Sequence, residues 1–187
     1  MKSERGLTLI ELLVASALSV LVLMIVGGMI ISAITTERTV QQSTAASSVG
    51  QLAASSITHG TRAASLLSLT APAADTQLLR ALIVDDVLST PAVAHCEAWY
   101  FGGGEVRTTR SATAIPTPVT AADVASWTLL ADGVTASGAN PVFAVTGLEL
   151  ELLLQVTTQD GVTVLIDTTA VSRQSGLPPT EVATLCF

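Results

Sequence analysis

The chain has 187 residues, which is room for one ordinary domain of about 100 to 150 residues plus an extended helix, and excludes two separate cores. Hydrophobic residues make up 49% of it and charged residues 12%, too apolar for a disordered chain and thin in charge for an ordinary soluble enzyme. The formal charge of −7 argues against a general binder of phosphate backbones.

Residues 1–6 carry Lys2 and Arg5, and from Leu12 to Ile34 there follow 23 residues without a charge or a proline. Such a run can span a bilayer, which takes roughly 20 apolar residues at about 1.5 Å each. The basic residues precede it, so Met1 is expected in the cytoplasm and everything after Ile34 outside. A secretory signal would have a shorter apolar region closed by a small-residue cleavage site, and here the run continues into helix-permissive sequence. Glu11 is out of character, because an isolated charge in an apolar segment costs about 2.5 kcal/mol or more near a bilayer centre. A cut after Gly6 would place a new amine on Leu7, one helical turn from Glu11, and a neighbouring subunit's amine could reach the same carboxylate. The competing reading sets Glu11 at headgroup level beside Arg5.

The stretch Gly6-Leu7-Thr8-Leu9-Ile10-Glu11-Leu12-Leu13-Val14-Ala15 resembles the class III signal of type IV prepilins and type II secretion pseudopilins. The resemblance implies cleavage after Gly6 by a membrane aspartyl prepilin peptidase, methylation of the new Leu7 amine, and a role for Glu11 in docking subunits. It implies as partners the peptidase, other pilins or pseudopilins and an inner-membrane assembly platform, with the chain in the membrane before assembly. Leu7 departs from the phenylalanine usual in these families, which bears on methylation more than on cleavage. Loss of Lys2, Glu4 and Arg5 with the leader leaves side chains summing to −8. No lysine follows Lys2, so lysine-linked covalent polymerisation is excluded and assembly is non-covalent.

From Thr35 to about Leu69 the chain is rich in Ala, Ser, Thr and Gln, while Val49, Leu52, Ala53, Ile57, Ala64 and Leu67 keep spacings mostly of three and four. The spacing predicts an amphipathic helix lying on a head. Continuous helix from Leu7 to Leu69 would be roughly 95 Å long at ~1.5 Å per residue, so its first half would stand clear of so small a head. Gly27 and Gly28 interrupt it at about 1 kcal/mol each relative to alanine, as a local melting point or as a close-packing contact.

Beyond Pro72 short β-type runs take over. Leu78 to Val84 and Ala94 to Phe101 read as strands, and the Gly102–Gly104 turn leads to a partner from Glu105 to Arg110. Ser111 to Ala122, with Pro116 and Pro118, reads as a loop. Trp127 to Leu130 starts a further run, Asp132-Gly133 turns, and Pro141 to Val145, Leu148 to Thr157 and Val162 to Thr169 follow as strands. The last two are joined by a turn at Gln159-Asp160-Gly161.

Leu129-Leu130-Ala131-Asp132-Gly133-Val134, Asn140-Pro141-Val142-Phe143 and Val171-Ser172-Arg173, with Arg62-Ala63-Ala64-Ser65 at the helix end, resemble the heads of W-type minor pilins and J-type minor pseudopilins. The fold expected is therefore α+β, a long N-terminal helix packed on an antiparallel β-sheet head, as in type IV pilins. Its parts are a leader at 1–6, a transmembrane and filament-core helix at 7–34, an amphipathic helix half at 35–70 and a β head at 71–187.

Cys96 and Cys186 both fall outside the cytoplasm in this topology, where disulfides persist, and a bridge between them would close a loop of about 90 residues. Two free buried thiols are the alternative. His59 and His95 are the only histidines, and His95 with Cys96 makes too few ligands for structural zinc. Asp85-Asp86, with Asp75 as a third carboxylate, lacks the spaced oxygen ligands of a calcium loop and reads as a solvated turn. No cofactor motif, nucleophile elbow or zinc-protease helix occurs, so no catalytic residue is assigned and an anchored enzyme is the weakest reading. Arg107 and Arg110 alone make a poor phosphate patch, and no nucleic acid is assigned as a partner. Two readings remain: a minor pilin or pseudopilin subunit acting in initiation or at the tip, and a pilus-borne adhesin or DNA-uptake head carried by the filament.

Overall fold

One helix takes up the apolar N-terminal run and the Ser/Thr-rich stretch after it, since no proline interrupts either: α1 spans Leu9–Ala63, 55 residues. The structure, a computed structural model, describes residues 8–86, 88–89, 92–118, 120–158, 161–174 and 184–187. It divides into two compact units, Met1–Gln41 and Gln42–Phe187, and α1 contributes to both.

The first unit is helix. Thr8 starts it, its carbonyl accepting the Glu11 and Leu12 N–H groups at 3.1 and 3.2 Å and its hydroxyl accepting the Glu11 N–H at 3.4 Å. These bonds satisfy donors that have no partner within the helix.

The second unit joins the end of α1 to two antiparallel sheets. β1 (Ala64–Thr70), β2 (Gln77–Asp86), β3 (Val93–Gly102), β4 (Glu105–Ser111) and β5 (Thr128–Ala131) pair in that order. β6 (Val134–Ala136) and β7 (Phe143–Thr146) share one edge of β8 (Glu149–Thr157), and β9 (Thr163–Val171) pairs with β8 along its length. Gly103 and Gly104, at φ 61° and 81°, make the tight β3–β4 turn, a conformation glycine adopts without the steric cost of a Cβ.

The first sheet is buried on both faces. Leu79, Ala81, Ile83, Trp99, Phe101 and Val106 join Ala53 and Ile57 of α1 and the inner face of the second sheet in one core. Leu78, Leu82, Cys96, Ala98 and Tyr100 alternate with them and form a second core, closed by Ile115, Val124 and Cys186. Double burial explains why β2 is nearly continuous in apolar residues where a one-sided strand would alternate. The segment between β4 and β5, which includes a short 3-10 turn at Ala121–Val124, is thus a cover for the second face.

Three expectations are corrected. The helix predicted to run to about Leu69, and bounded at 70, ends at Ala63. Ala64–Thr70 is instead β1, because Leu66, Leu67 and Leu69 pair with Leu82, Ala81 and Leu79 of β2 and gain a sheet edge there. Leu52, assigned to the inward face, is exposed; the residues buried along α1 are Ala46, Gly50, Ala53, Ala54, Ile57, Gly60 and Thr61. The helix therefore meets the sheets through small residues. A Cβ on Gly60 would overlap the Trp99 ring, whose Nε1 donates to Ser56 Oγ at 3.1 Å, so glycine at 60 is what lets the indole lie against the helix. Finally, Pro141 to Val145 is shifted to β7 at Phe143–Thr146, and β6 was not foreseen at all, three residues being too short for a period to register.

Candidate functional site

The residues with the clearest chemical purpose are in the first unit. Gly6 and Leu7, the expected cleavage and methylation positions, lie outside the described residues, as does the rest of the leader. Glu11 is described: it is exposed and stands in the first turn of α1. Thr8 and Glu11 occupy the two ends of a Thr-x-x-Glu pattern at the helix start, and a carboxylate there interacts favourably with the positive end of the helix dipole. The sequence alone offers Glu11 as a charge awaiting an amine or as a headgroup-level residue beside Arg5; the Thr-x-x-Glu pattern is the available signal for this further role.

From Leu12 to Ile34 the apolar side chains are exposed, among them Leu23, Met24 and Met29 at about 70%. So large a continuous apolar surface marks a membrane or protein contact. The helix is long and apolar enough to cross a bilayer. Its polar side chains are fitted to such surroundings: Ser16 Oγ donates to the Leu13 carbonyl at 2.9 Å and Ser19 Oγ to the Ala15 carbonyl at 2.8 Å, so neither hydroxyl proton requires water. Nothing lies within 4 Å of a Cβ built on Gly27 or Gly28.

In the second unit Cys96 and Cys186 form a disulfide with Cα atoms 5.5 Å apart and a sequence separation of 90. Both are fully buried in the second core. His59 is exposed on α1, whereas His95 is buried on β3 with its Nδ1 2.6 Å from Asp85 Oδ2 and 3.1 Å from Arg110 Nη2. Its Nε2 is 3.7 Å from Glu97 Oε1. Asp85 and Asp86, grouped as one turn in the sequence, are separated by the strand: Asp85 faces His95, and Asp86 closes the turn after β2 by accepting the Leu88 N–H at 2.8 Å and the Ser89 hydroxyl at 2.5 Å. Those two bonds, the hydroxyl first, hold the Asp86 carboxyl below the usual carboxylate range. Arg107 is tied to Glu105 at 2.6 Å and also donates to the Trp127 carbonyl at 3.1 Å, so it is a structural group and not a free cation. Among the described residues no three His, Cys, Asp or Glu side chains are grouped to hold a metal.

Residues 1–35 match the family model described as the prokaryotic N-terminal methylation motif. No curated protein and no solved structure matches the chain. The chain thus carries the class III signal of type IV prepilins at the head of a long apolar helix, and is a pilin- or pseudopilin-like precursor. Proteins with this motif are structural subunits, processed by a prepilin peptidase and assembled with other pilins.

Proposed function

We propose that this chain is a minor pilin or pseudopilin, cut between Gly6 and Leu7, methylated on Leu7 and built into a filament through its helix at 7–34, where it acts in initiation or at the tip. The observation that carries the reading is the methylation motif at 1–35 running straight into an exposed apolar helix. In this account the helix first holds the precursor in the cytoplasmic membrane with the head at 71–187 outside, and the inner-membrane assembly platform then passes it to the filament. Glu11 is the docking charge, taking the amine of a neighbouring subunit where the apolar surroundings make an unpaired carboxylate costly. The head is large and W/J-like in its segments around Asp132-Gly133 and Asn140-Pro141, which favours a specialised subunit over the bulk one.

Replacement of Gly6 by valine tests the proposal. It should leave an uncut precursor held in the membrane and absent from sheared filaments, whose mass spectrum should otherwise show a methylated Leu7 at a small share of total pilin. Normal processing of the variant, or a chain that dominates the filament, would overturn the corresponding part. Glu11→Ala should be inserted and cut but incorporated poorly.

A further inference from the structure

The cover over the second core does more than bury Tyr100. Between it and β4 lies a cleft of about 480 Å³ whose walls include Thr109, Ser111, Ile115, Thr117, Asp123 and Trp127. Ile115 is buried and gives the cleft an apolar floor. Thr109 and Ser111 are placed by β4 pairing, opposite Ala98 and Cys96 on the strand that carries the disulfide. Trp127 is held at its own backbone, where its N–H donates to the Val124 carbonyl at 3.0 Å and its carbonyl accepts from Arg107 at 3.1 Å. Its ring meets Tyr100 edge-to-face, with centroids 6.5 Å apart and planes at 79°, so at least one indole face is not covered by Tyr100. Asp123 is fixed by the Thr120 N–H and hydroxyl, both on Oδ2, at 2.8 and 3.2 Å.

The walls select a ligand class. An indole face is a platform for an apolar C–H surface, and hydroxyls that both donate and accept suit a partner rich in hydroxyls. No cation lines the cleft and one carboxylate does, which disfavours phosphates and nucleic acids, as does the formal charge of −7. An acyl chain would cover the Thr109 and Thr117 hydroxyls and offer them nothing to bond, while the Ser111 hydroxyl is already paired with Thr113. A compact ligand with one apolar face and a rim of hydroxyls meets all three conditions. We infer that this cleft binds a neutral saccharide. The inference is independent of filament assembly, since it concerns the head alone, and either can fail without the other.

Tryptophan fluorescence reads it directly. The chain has two tryptophans, and Trp99 is fully buried against α1, so a ligand-induced change reports Trp127. The full chain, purified in a detergent without a sugar headgroup, is titrated with lactose, maltose and chitobiose. At least one should give a saturable change with Kd on the order of 1 mM, weakened at least about tenfold in Thr109→Val/Thr117→Val, which keeps the shape of both side chains and removes their hydroxyls. The same variant should retain the wild-type unfolding midpoint; should it not, Thr117→Val alone, which is exposed and leaves the Trp127 reporter in place, replaces it. The inference is overturned by the absence of a saturable response to all three sugars at ~50 mM, fifty times that Kd. A response that survives the hydroxyl-free variant, or one given by a proline-rich peptide and not by a sugar, overturns it equally.

Discussion

The side-chain amide of Gln77 brackets the backbone of Phe143: Nε2 donates to the Phe143 carbonyl and Oε1 accepts the Phe143 N–H, both at 2.9 Å. Gln77 opens β2 in the first sheet and Phe143 opens β7 in the second, so one side chain imitates the strand partner that β7 lacks on that side. Replacement by leucine leaves two part-buried backbone groups unpaired and should cost about 2 kcal/mol. Gln77→Glu, which can still accept but cannot donate, should fall between the two in denaturant unfolding. Equal midpoints for all three would show that water takes over these groups at no cost.

Gly60 and Gly27 should respond oppositely to alanine. At 60 the new methyl overlaps the Trp99 ring, and overpacking of this kind costs about 1 to 3 kcal/mol, more than the about 1 kcal/mol gained in helix propensity. At 27 nothing lies within 4 Å, so the isolated subunit should gain that propensity in full. Thermal unfolding followed by helix circular dichroism separates the two, and a filament assembled poorly from Gly27→Ala subunits would assign that glycine to close packing between helices.

Removal of the Cys96–Cys186 bridge, by reduction or by alanine at both positions, should lower stability by about 4.6 kcal/mol, the loop-closure entropy for a separation of 90 residues. Both sulfurs sit in the second core, so the loss should appear first around Tyr100 and Trp127, while Trp99 keeps its buried emission. An unchanged midpoint on reduction would contradict this.

Asp86 supplies the pH dependence. Its carboxyl is held low in the folded state, so its contribution is whole above the ordinary carboxylate value of about 3.9 and is lost as the pH falls through the lower folded value. The stability difference between wild type and Asp86→Asn should therefore be steady down to about pH 5 and shrink below about pH 4. Ser89→Ala, which removes the largest cause, should weaken that trend; a difference that grew on acidification would reverse the sign argued here.

The methylation motif, the apolar run and most strands were legible because each has its own local signature: a charge step before apolar residues, a length, and short β-type runs bounded by turns. The end of α1 was not, since Ala-Ser-Leu-Leu-Ser-Leu at 64–69 fits a helix and a strand equally and only pairing with β2, distant along the chain from the leader, decides it. The inward face of the helix was misread for a different reason. Periodicity looks for large apolar residues, and Leu52 fits the period yet is exposed, whereas Gly50 and Gly60 lie against Ile166 and Trp99 and carry no side chain to register. The cleft walls are contributed by β4, the cover and Trp127, a meeting that the loop reading of Ser111 to Ala122 did not contain.

The small residues on the inner side of α1 also bear on entropy. Alanine and glycine have no rotamers to lose, so Ala46, Gly50, Ala53, Ala54 and Gly60 dock against the sheets without the side-chain ordering cost that leucines or methionines would incur there. Stability at that contact then rests on shape over a short range. Sequence drift should be wide on the solvent side of the same helix, where Ser48, Gln51, Leu52 and Ser55 are exposed, and narrow on the inner side, where a single methyl is too much.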